Sequence, residues 1–102
     1  AHASLRTLVG STAEQPYSAS LLNISAMSYG ALSANAIRAL NKGARAGGFF
    51  HDTGEGGVSP YHREFGGDLV WELGSGYFGA RGADGRFDPA KFAETASDPQ
   101  IK

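Results

Sequence analysis

Residues 23–64 read NISAMSYGALSANAIRALNKGARAGGFFHDTGEGGVSPYHRE, and this stretch decides the fold. Its pattern predicts a short apolar strand over residues 21–25, a loop of small residues over 26–32, a helix, a second strand over 48–51 and a glycine-rich loop. Two consecutive strands with a helix between them pair in parallel. Because ligands in parallel α/β folds bind at the carboxyl ends of strands, we expect both loops to face one site. The sequence therefore predicts a ligand-binding α/β barrel or sheet.

The helix is delimited by residue types that favour helix ends. Ser33 is a typical N-cap residue and precedes a helix predicted over residues 34–46. Ile37, Leu40 and Ala44 follow at helical spacing, which predicts that they face inward. The glycine pair that comes next predicts the end of the helix.

The segments on either side add further elements. Residues 1–20 show no sustained period, so we expect an irregular lead-in. In residues 68–73 (DLVWEL), Leu69, Trp71 and Leu73 alternate with Asp68, Val70 and Glu72, which predicts a third strand or extended segment followed by a loop. Asp88 and the proline after it form a helix start, so a short helix is predicted there. Residues 99–102 are expected to enter a further strand.

Composition excludes several classes of protein. At 102 residues the chain forms at most one domain. A formal net charge of −1 without a long basic run argues against nucleic-acid binding. The absence of cysteine excludes a disulfide framework, a thiolate zinc site and an iron–sulfur cluster held by this chain alone. No apolar run approaches the ~20 residues that span a bilayer, and no signal-peptide pattern begins the sequence, so a cytoplasmic location is the default expectation.

Glycine is unusually frequent, with 15 residues, and most of them lie in the second half of the chain. Such density without a repeat predicts long folded loops in which the backbone turns or approaches a ligand. Loops bury little apolar area, so a self-sufficient small domain rarely devotes so much of its length to them. We therefore expect the chain to be part of a larger domain.

Two short motifs imitate known signatures. Residues 26–30 (AMSYG) resemble the G-x-S-x-G nucleophile elbow, but an elbow needs its helix directly after the serine, and here the helix cap is Ser33. Residues 74–79 (GSGYFG) match G-x-G-x-x-G, yet the glycines that follow oppose the helix which that fingerprint requires. A hydrolase and a dinucleotide site remain alternatives. The favoured interpretations are a first loop whose backbone lies against a planar cofactor and a second that lies on the surface or covers the active site.

Histidine and carboxylate side chains are the usual ligands of metal ions, so a metal site is one alternative for this chain. His2, His51 and His62 occur with acidic residues, but their spacing is not typical of a ligand set. Structural or solvent-facing histidines are the favoured interpretation, so no metal site is predicted.

Residues 53–57 (TGEGG) are hard to explain as a simple turn. Thr53 and Glu55 alternate with glycines at the end of a strand, so polar side chains and bare N–H groups converge there. A simple turn needs one or two glycines rather than three around a carboxylate. A loop that contacts or gates a ligand is favoured over a bare turn. Arg63, just beyond, could either clamp a carboxylate or lie on the surface.

With these motifs the chain resembles the FMN-binding TIM-barrel domain of the glutamate synthase family. The resemblance covers residues 15–102 and is carried, in order, by NISAMSYGALSANAI, HDTGEGGVSPYHRE, GGDLVWELGSGYFGAR and FDPAKFAE. It implies that residues 1–102 are the N-terminal part of a (β/α)8 barrel. The implied activity is that of an FMN-dependent oxidoreductase. Reduced flavin would transfer a hydride to 2-iminoglutarate, formed from 2-oxoglutarate and ammonia, to give glutamate.

The resemblance also assigns residues to a site, with residues 26–30 against the isoalloxazine ring and residues 53–57 as the neighbouring wall. The implied cofactor-binding residues are Ser25, Ala26, Met27, Ser28, Gly30 and Thr53. Small residues and backbone N–H groups suit contact with a flavin, although Met27 could instead pack in the barrel core. Glu55 is the implied catalytic residue, and substrate contacts are expected from Gly56, Gly57 and Arg63.

Other parts of the family site are expected outside this chain. The phosphate-binding loops, the lysine and glutamine residues near the flavin and any iron–sulfur cluster would come from the remainder of the barrel domain. The electron donor would be an NAD(P)H-linked subunit or ferredoxin. We expect the chain alone to be inactive and to bind FMN weakly. An FMN oxidoreductase acting on another 2-oxo or imino acid, and a non-catalytic structural or interaction segment, are the alternatives.

Overall fold

The structure, a computed structural model, describes residues 5–102, so His2 lies outside the described residues. The fold is a small mixed α/β arrangement with an antiparallel hairpin and a parallel ladder, which confirms the predicted α/β class. Within residues 5–102 no helix combines the length and apolar character needed to cross a membrane. In chain order the elements are β1 (Arg6–Val9), β2 (Tyr17–Ser20), α1 (Ala34–Gly47), β3 (His51–Asp52), α2 (Pro60–Arg63), β4 (Leu69–Val70) and α3 (Pro89–Ala96).

The described chain begins with a β-hairpin where the sequence predicted an irregular lead-in. β1 and β2 pair antiparallel along their whole length. Of their side chains only that of Ala19 is buried, so the strands carry little of the apolar alternation by which strands are recognised. Backbone pairing, rather than burial of one face, defines this hairpin, and this is why the sequence pattern did not reveal it.

Two side chains fix the hairpin to the amino edge of the parallel ladder. Arg6 Nη2 donates to the carbonyl of Gly48 at 2.8 Å, and the Tyr17 hydroxyl donates to Oδ2 of Asp68 at 2.7 Å. Burial first, and then the hydrogen bond and charge of Asp68, raise the pKa of Tyr17 to about 12, so the phenol stays protonated and remains a donor. Because Gly48 and Asp68 both precede strands of the ladder, the hairpin covers the edge opposite the strand carboxyl ends.

The parallel ladder joins four segments in chain order. β3 pairs in parallel with β4, and single bridges add Ile24 beside His51 and Ile101 beside Leu69. The bridge at Ile101 agrees with the predicted entry into a further strand. The second and third strands are shorter than predicted, with two residues each. The carboxyl ends of the segments lie at one edge, where the loops that follow them can meet.

The predicted first strand is reduced to one paired residue. Ile24 N–H donates to the carbonyl of Phe50 at 2.9 Å, and its carbonyl accepts from Asp52 N–H at 3.1 Å. Leu21 and Leu22, predicted to be buried, are 65% and 75% exposed. An apolar run becomes a buried strand only where another layer covers it, and the described residues do not cover these two leucines.

α1 agrees with the helix predicted from the sequence. Ser33 Oγ accepts from the N–H of Ala36 at 3.2 Å, which confirms the N-cap. Ile37 and Ala44 are buried, as predicted. The helix ends at Gly47 and is capped by Gly48, whose φ of 69° lies in the left-handed region that glycine favours.

Two shorter helices complete the connections of the ladder. Asp88 Oδ1 accepts from the N–H groups of Ala90 and Lys91, which confirms the predicted start of α3. α2 is a single turn that the sequence pattern did not predict. Its capping box joins Ser59 and His62, each of which bonds to the backbone of the other.

The interior beside α1 is polar. His51, Asn41 and His62 are fully buried. Asn41 Oδ1 accepts from Gly67 N–H at 2.9 Å, which leaves the amide Nδ2 to face His51 Nδ1 at 3.4 Å. Because Nδ1 is then the acceptor, neutral His51 carries its proton on Nε2, which is buried and has no partner among the described residues. An unpaired buried donor costs about 1–3 kcal/mol.

We expect His51 to make the stability of the full-length protein depend on pH. Burial, followed by the charge of His62, lowers the pKa of His51 from 6.5 to about 4. At a pH between about 4 and 6.5, His51 is protonated in the unfolded chain and neutral in the folded chain. Stability is therefore complete above the unfolded pKa and falls as the pH drops through the window, by roughly 1.4 kcal/mol per pH unit for one proton.

Melting temperatures near neutral pH and inside this window measure the effect. His51→Leu, which cannot titrate, should lose less stability over the same pH interval than the wild type. An identical loss in the two proteins would show that His51 is not the group responsible.

Candidate functional site

Three loops meet at the carboxyl edge of the ladder. Loop 1 (residues 25–32) follows Ile24, loop 2 (residues 53–58) follows β3, and loop 3 (residues 71–87) follows β4. They surround a cavity of about 440 Å³. The structure thus brings the first two loops to one cavity, as the sequence predicted, and adds a third wall. The lining consists of residues 28–31 of loop 1, Glu55 and Gly56 of loop 2, and Ser75, Gly76 and Phe78 of loop 3.

Loops 1 and 2 touch through the backbone. Met27 N–H donates to the carbonyl of Asp52 at 3.1 Å. Gly54 has a φ of 74°, and a Cβ at this position would lie 2.8 Å from the Cβ and 2.9 Å from the nitrogen of Ser28. No side chain fits between the two loops at this point, so glycine permits their close approach.

Loops 2 and 3 are joined beneath the cavity. Thr53 is fully buried, and its Oγ1 donates to the carbonyl of Gly54 at 3.0 Å and accepts from Glu72 N–H at 3.1 Å. Gly57 is buried, and its N–H closes a turn with the carbonyl of Gly54 at 3.1 Å. A Cβ on Gly57 would lie 2.9 Å from Phe78. Thr53 and Gly57 therefore shape the site from behind the lining.

Loop 3 is folded onto α3 rather than extended into solvent. The Trp71 ring stacks on Phe92 with centroids 5.3 Å apart, and Trp71 Nε1 donates to the carbonyl of Phe78 at 3.3 Å. Tyr77 has a φ of 54°, which is unusual for a residue other than glycine and places backbone strain beside the cavity. Residues 74–79 form turns instead of a helix, so they lack the geometry of the dinucleotide fingerprint.

Carboxylates gather where β3 and β4 end. Asp52 Oδ1 accepts from Gly54 N–H at 2.9 Å, and Glu55 reaches the cavity. Hydrogen bonding to Asp52, then desolvation and the charges of Asp52 and Glu55, raise the pKa of Glu72. Among residues 5–102 no group of three or more histidine and carboxylate side chains is arranged to hold a metal ion. The cluster of Asp52, Glu55 and Glu72 makes the electrostatic potential at this edge of the site negative.

The predicted cofactor and substrate residues occupy different places. Ser25 and Ala26 are exposed in loop 1 outside the cavity lining, and Met27 is half-buried behind it. Four predicted residues line the cavity, namely Ser28, Gly30, Glu55 and Gly56.

Arg63 is not brought to the cavity. It lies on α2, and its Nη1 forms an ion pair with Oδ2 of Asp98 at 3.0 Å. Asp98 follows α3, so the pair links two of the connections of the ladder. Of the two roles that the sequence left open for Arg63, the structure favours a surface position.

Two side chains at the site were not identified from the sequence. Phe78 lines the cavity, and the guanidinium of Arg81 lies 4.9 Å from the centre of its ring. His62 lies behind loop 1, with Nε2 3.0 Å from the carbonyl oxygen of Met27. The only signal for His62 was its position three residues after Ser59, which is the spacing of a capping box.

A second cavity, of about 650 Å³, lies at the opposite, amino edge of the ladder. It is lined by residues 15–18 of the hairpin region, Asp68, residues 96–99, Ile101 and Lys102. Because parallel α/β folds bind ligands at the carboxyl ends of their strands, the cavity between the three loops is the functional candidate.

Known proteins with similar sequences are glutamate synthases or resemble them. The family described as "Conserved region in glutamate synthase" matches residues 6–102. The glutamate synthase large subunit-like protein YerD of Bacillus subtilis (strain 168) is 44% identical over 93 residues, which cover 89% of this chain and 18% of that protein. Archaeal-type glutamate synthases (NADPH) of Thermotoga sp. (strain RQ2) and Thermotoga maritima are each 48% identical over 54 residues, covering 53% of this chain and 11% of theirs.

The match extends over every described element but over a small part of each relative. The chain spans less than a fifth of the length of these curated relatives. No solved structure matches it significantly. Because the family match runs through the hairpin, the ladder and the three loops around the cavity, the chain belongs to the glutamate synthase family.

Proposed function

We propose that this chain forms part of an FMN-dependent, glutamate synthase-like oxidoreductase that reduces 2-iminoglutarate to glutamate. The observation that carries the proposal is the cavity in which three loops of a glutamate synthase family chain meet. The imine would form from 2-oxoglutarate and ammonia. The Thermotoga relatives carry NADPH in their names, which supports an NADPH-linked subunit as the electron donor.

The ladder is proposed to be the start of a (β/α)8 barrel, with residues 1–102 as its N-terminal part. Four neighbouring parallel segments in chain order, with a helix in each connection, follow the repeating unit of such a barrel. A whole barrel takes ~250 residues. Further strands and helices would cover side chains such as Leu21 and Leu22, which are exposed in this chain. Among residues 5–102 the buried apolar side chains are few and mostly small: Ala19, Ile37, Ala44, Leu69 and Ala80.

The cavity suits the ring system of FMN but not its phosphate. Gly30, Ala31 and Gly56 present little more than backbone to the cavity, which permits face contact with a planar ring. The N–H of Ser28 donates to no acceptor among residues 5–102, so it is available to a ring nitrogen or oxygen. The lining contains neither lysine nor arginine, so the phosphate is proposed to bind loops outside this chain. Any iron–sulfur cluster would also be held elsewhere, since the chain has no cysteine.

The residues of this chain would orient the substrate and hold its charge. FMN, when bound, supplies the hydride chemistry. The Glu55 carboxylate accepts a hydrogen bond from the protonated imine nitrogen and so fixes the substrate at the mouth of the cavity. Asp52, Glu55 and Glu72 lie close enough together that hydrogen bonding to Asp52, and also the charges of Asp52 and Glu55, raise the pKa of Glu72, and the net negative charge of this cluster favours the protonated imine over the neutral one. Phe78, which is 42% exposed, gives that side of the site an apolar wall.

Absorption spectroscopy of the full-length protein tests this proposal. We expect FMN to copurify or to be taken up, to be reduced by the electron donor, and to be reoxidised by 2-oxoglutarate with ammonium as glutamate forms. A colourless protein that cannot be reconstituted with FMN would overturn the oxidoreductase assignment and leave a structural role.

The isolated chain gives a second test. Residues 1–102 alone should bind FMN at least about tenfold more weakly than the full-length protein, because charge-assisted phosphate contacts are missing. Fluorescence quenching of FMN measures this difference. Tight stoichiometric binding by the isolated chain would show that the phosphate site lies within it.

A further inference from the structure

Loop 1 is held from behind by a buried histidine. His62 is fully buried, and its Nε2 lies 3.0 Å from the carbonyl oxygen of Met27. On its other side, Met27 donates its N–H to the carbonyl of Asp52 at 3.1 Å. The carbonyl of Met27 is therefore hydrogen-bonded to His62 of α2, and its N–H to Asp52 of β3.

The hydrogen bonds of His62 define which nitrogen carries the proton. Ser59 N–H donates to Nδ1 at 3.0 Å, so Nδ1 is an acceptor and has no proton. The proton of the neutral ring is then on Nε2, which donates it to the carbonyl of Met27. Burial lowers the pKa of His62, which keeps the ring neutral near physiological pH.

α2 gives this histidine a fixed position. The side chain of Gln100 donates from Nε2 to the carbonyl of His62 at 2.9 Å and to that of Gly67 at 2.8 Å. Gln100 adjoins Ile101 in the fourth segment of the ladder. Gln100, beside the last segment of the ladder, therefore helps to hold His62 in place behind loop 1.

The fixed carbonyl of Met27 also fixes the N–H of the next residue. No described peptide bond is cis, and in a trans peptide the N–H points opposite to the C=O. The N–H of Ser28 consequently points away from His62, and Ser28 lines the cavity. Gly54 packs close to this nitrogen and has no side chain to block it, since a Cβ at that position would lie 2.9 Å from the nitrogen.

We infer that His62 is a positioning residue, which orients the Met27–Ser28 peptide so that Ser28 N–H donates a hydrogen bond to an acceptor atom of the flavin ring. The inference rests on the proposed function, because it needs a flavin in the cavity. His62 does not touch the flavin; it acts through the carbonyl of Met27. A hydrogen bond to the ring stabilises one oxidation state over another, so the effect reaches the absorption spectrum and the reduction potential of the flavin.

Two amide substitutions separate this role from the role of His62 in the capping box. Asn Oδ1 stands as many bonds from Cα as Nδ1 of histidine, so His62→Asn can keep the bond with Ser59 but cannot reach Met27. Gln Nε2 corresponds to Nε2 of histidine, so His62→Gln can keep the bond to Met27. His51→Leu, at a buried histidine whose ring centroid lies 5.1 Å from that of His62, is the matched control.

The experiment compares FMN dissociation constants, flavin spectra and reduction potentials in the full-length protein. We expect His62→Asn to weaken FMN binding about tenfold, as expected for one lost hydrogen bond, and to shift the spectrum and potential. His62→Gln should stay within about threefold of the wild type, as should His51→Leu.

The outcomes keep the two proposals apart. A wild-type protein that takes up no FMN contradicts the proposed function. A wild type that binds FMN, with the asparagine and glutamine variants indistinguishable in spectrum and potential, overturns the role of His62. If the variants do not fold, ¹⁵N NMR of the wild-type histidines decides, since a proton on Nδ1 of His62 would equally overturn the inference.

Discussion

Glu55→Gln in the full-length protein should lower turnover between about a hundredfold and about a thousandfold, the range associated with losing one preorganised electrostatic contact to the reacting group. Glu55 reaches the cavity beside Gly56, and its backbone is held by the turn that Gly54 and Gly57 close. Glutamine keeps the size of the side chain but loses the negative charge that would hold a protonated imine. Flavin content should stay close to that of the wild type, because the proposed ring contacts come from loop 1.

Steady-state rates and flavin-to-protein ratios, measured on the same preparations, check this result. Glu94→Gln is the matched control, since Glu94 is an exposed carboxylate on α3 and does not line the cavity. It should leave both quantities unchanged. A parallel loss of turnover and flavin content in Glu55→Gln would instead identify Glu55 as part of the scaffold.

The elements predicted well from the sequence are those set by local chemistry. Ser33 and Asp88 cap helices because their side chains accept hydrogen bonds from backbone groups two or three residues later. Gly48 ends α1 because it adopts a left-handed conformation. Each of these interactions joins residues within a few positions, so the residue types alone were sufficient to predict them.

The elements that the sequence did not reveal depend on contacts between distant residues. The hairpin buries almost no apolar side chain of its own and is anchored through Tyr17 to Asp68, 51 positions later. The hairpin therefore could not be derived from periodicity, because no local pattern records such a partner. α2 does have a local start signal, Ser59 followed by Pro60, and Gln100, which is 38 positions from His62, adds a distant hydrogen bond to it.

The same distinction applies to the candidate site. The predicted residues Ser28, Gly30, Glu55 and Gly56 line the cavity; they lie in loops that follow strands, where parallel α/β folds form their sites, and the family resemblance implied their individual roles. Whether a residue lines the cavity or supports it depends on packing. Thr53 was expected to contact the cofactor, but its hydroxyl is used to join loops 2 and 3. Arg63 does not line the cavity and pairs instead with Asp98, a partner 35 positions away that no local pattern indicates.

Gly54→Ala should have a large effect on the site, because it is the position where loops 1 and 2 are closest. Alanine at a φ of 74° costs about 1–2 kcal/mol from the left-handed backbone alone. In addition its Cβ would lie 2.8 Å from the Cβ of Ser28, and Ser28 cannot retreat freely because Met27 is tied to Asp52 and His62. We expect a lower melting temperature and FMN binding weakened by more than about tenfold, since the displaced N–H of Ser28 would lose its ring acceptor.

Alanine substitutions at two other glycines are controls that separate backbone strain at Gly54 from the steric clash with Ser28. Gly85→Ala places alanine at a φ of 80° with no atom within 4 Å of the new Cβ, so it carries the strain without the contact. Gly43→Ala lies in α1, also with open space, and should raise stability by about 0.5–1 kcal/mol. If Gly54→Ala weakens FMN binding while Gly85→Ala does not, the cause is the displacement of loop 1 rather than general destabilisation. Equal FMN affinity in the two variants would contradict a site in which Gly54 keeps the backbone of Ser28 accessible to the cofactor.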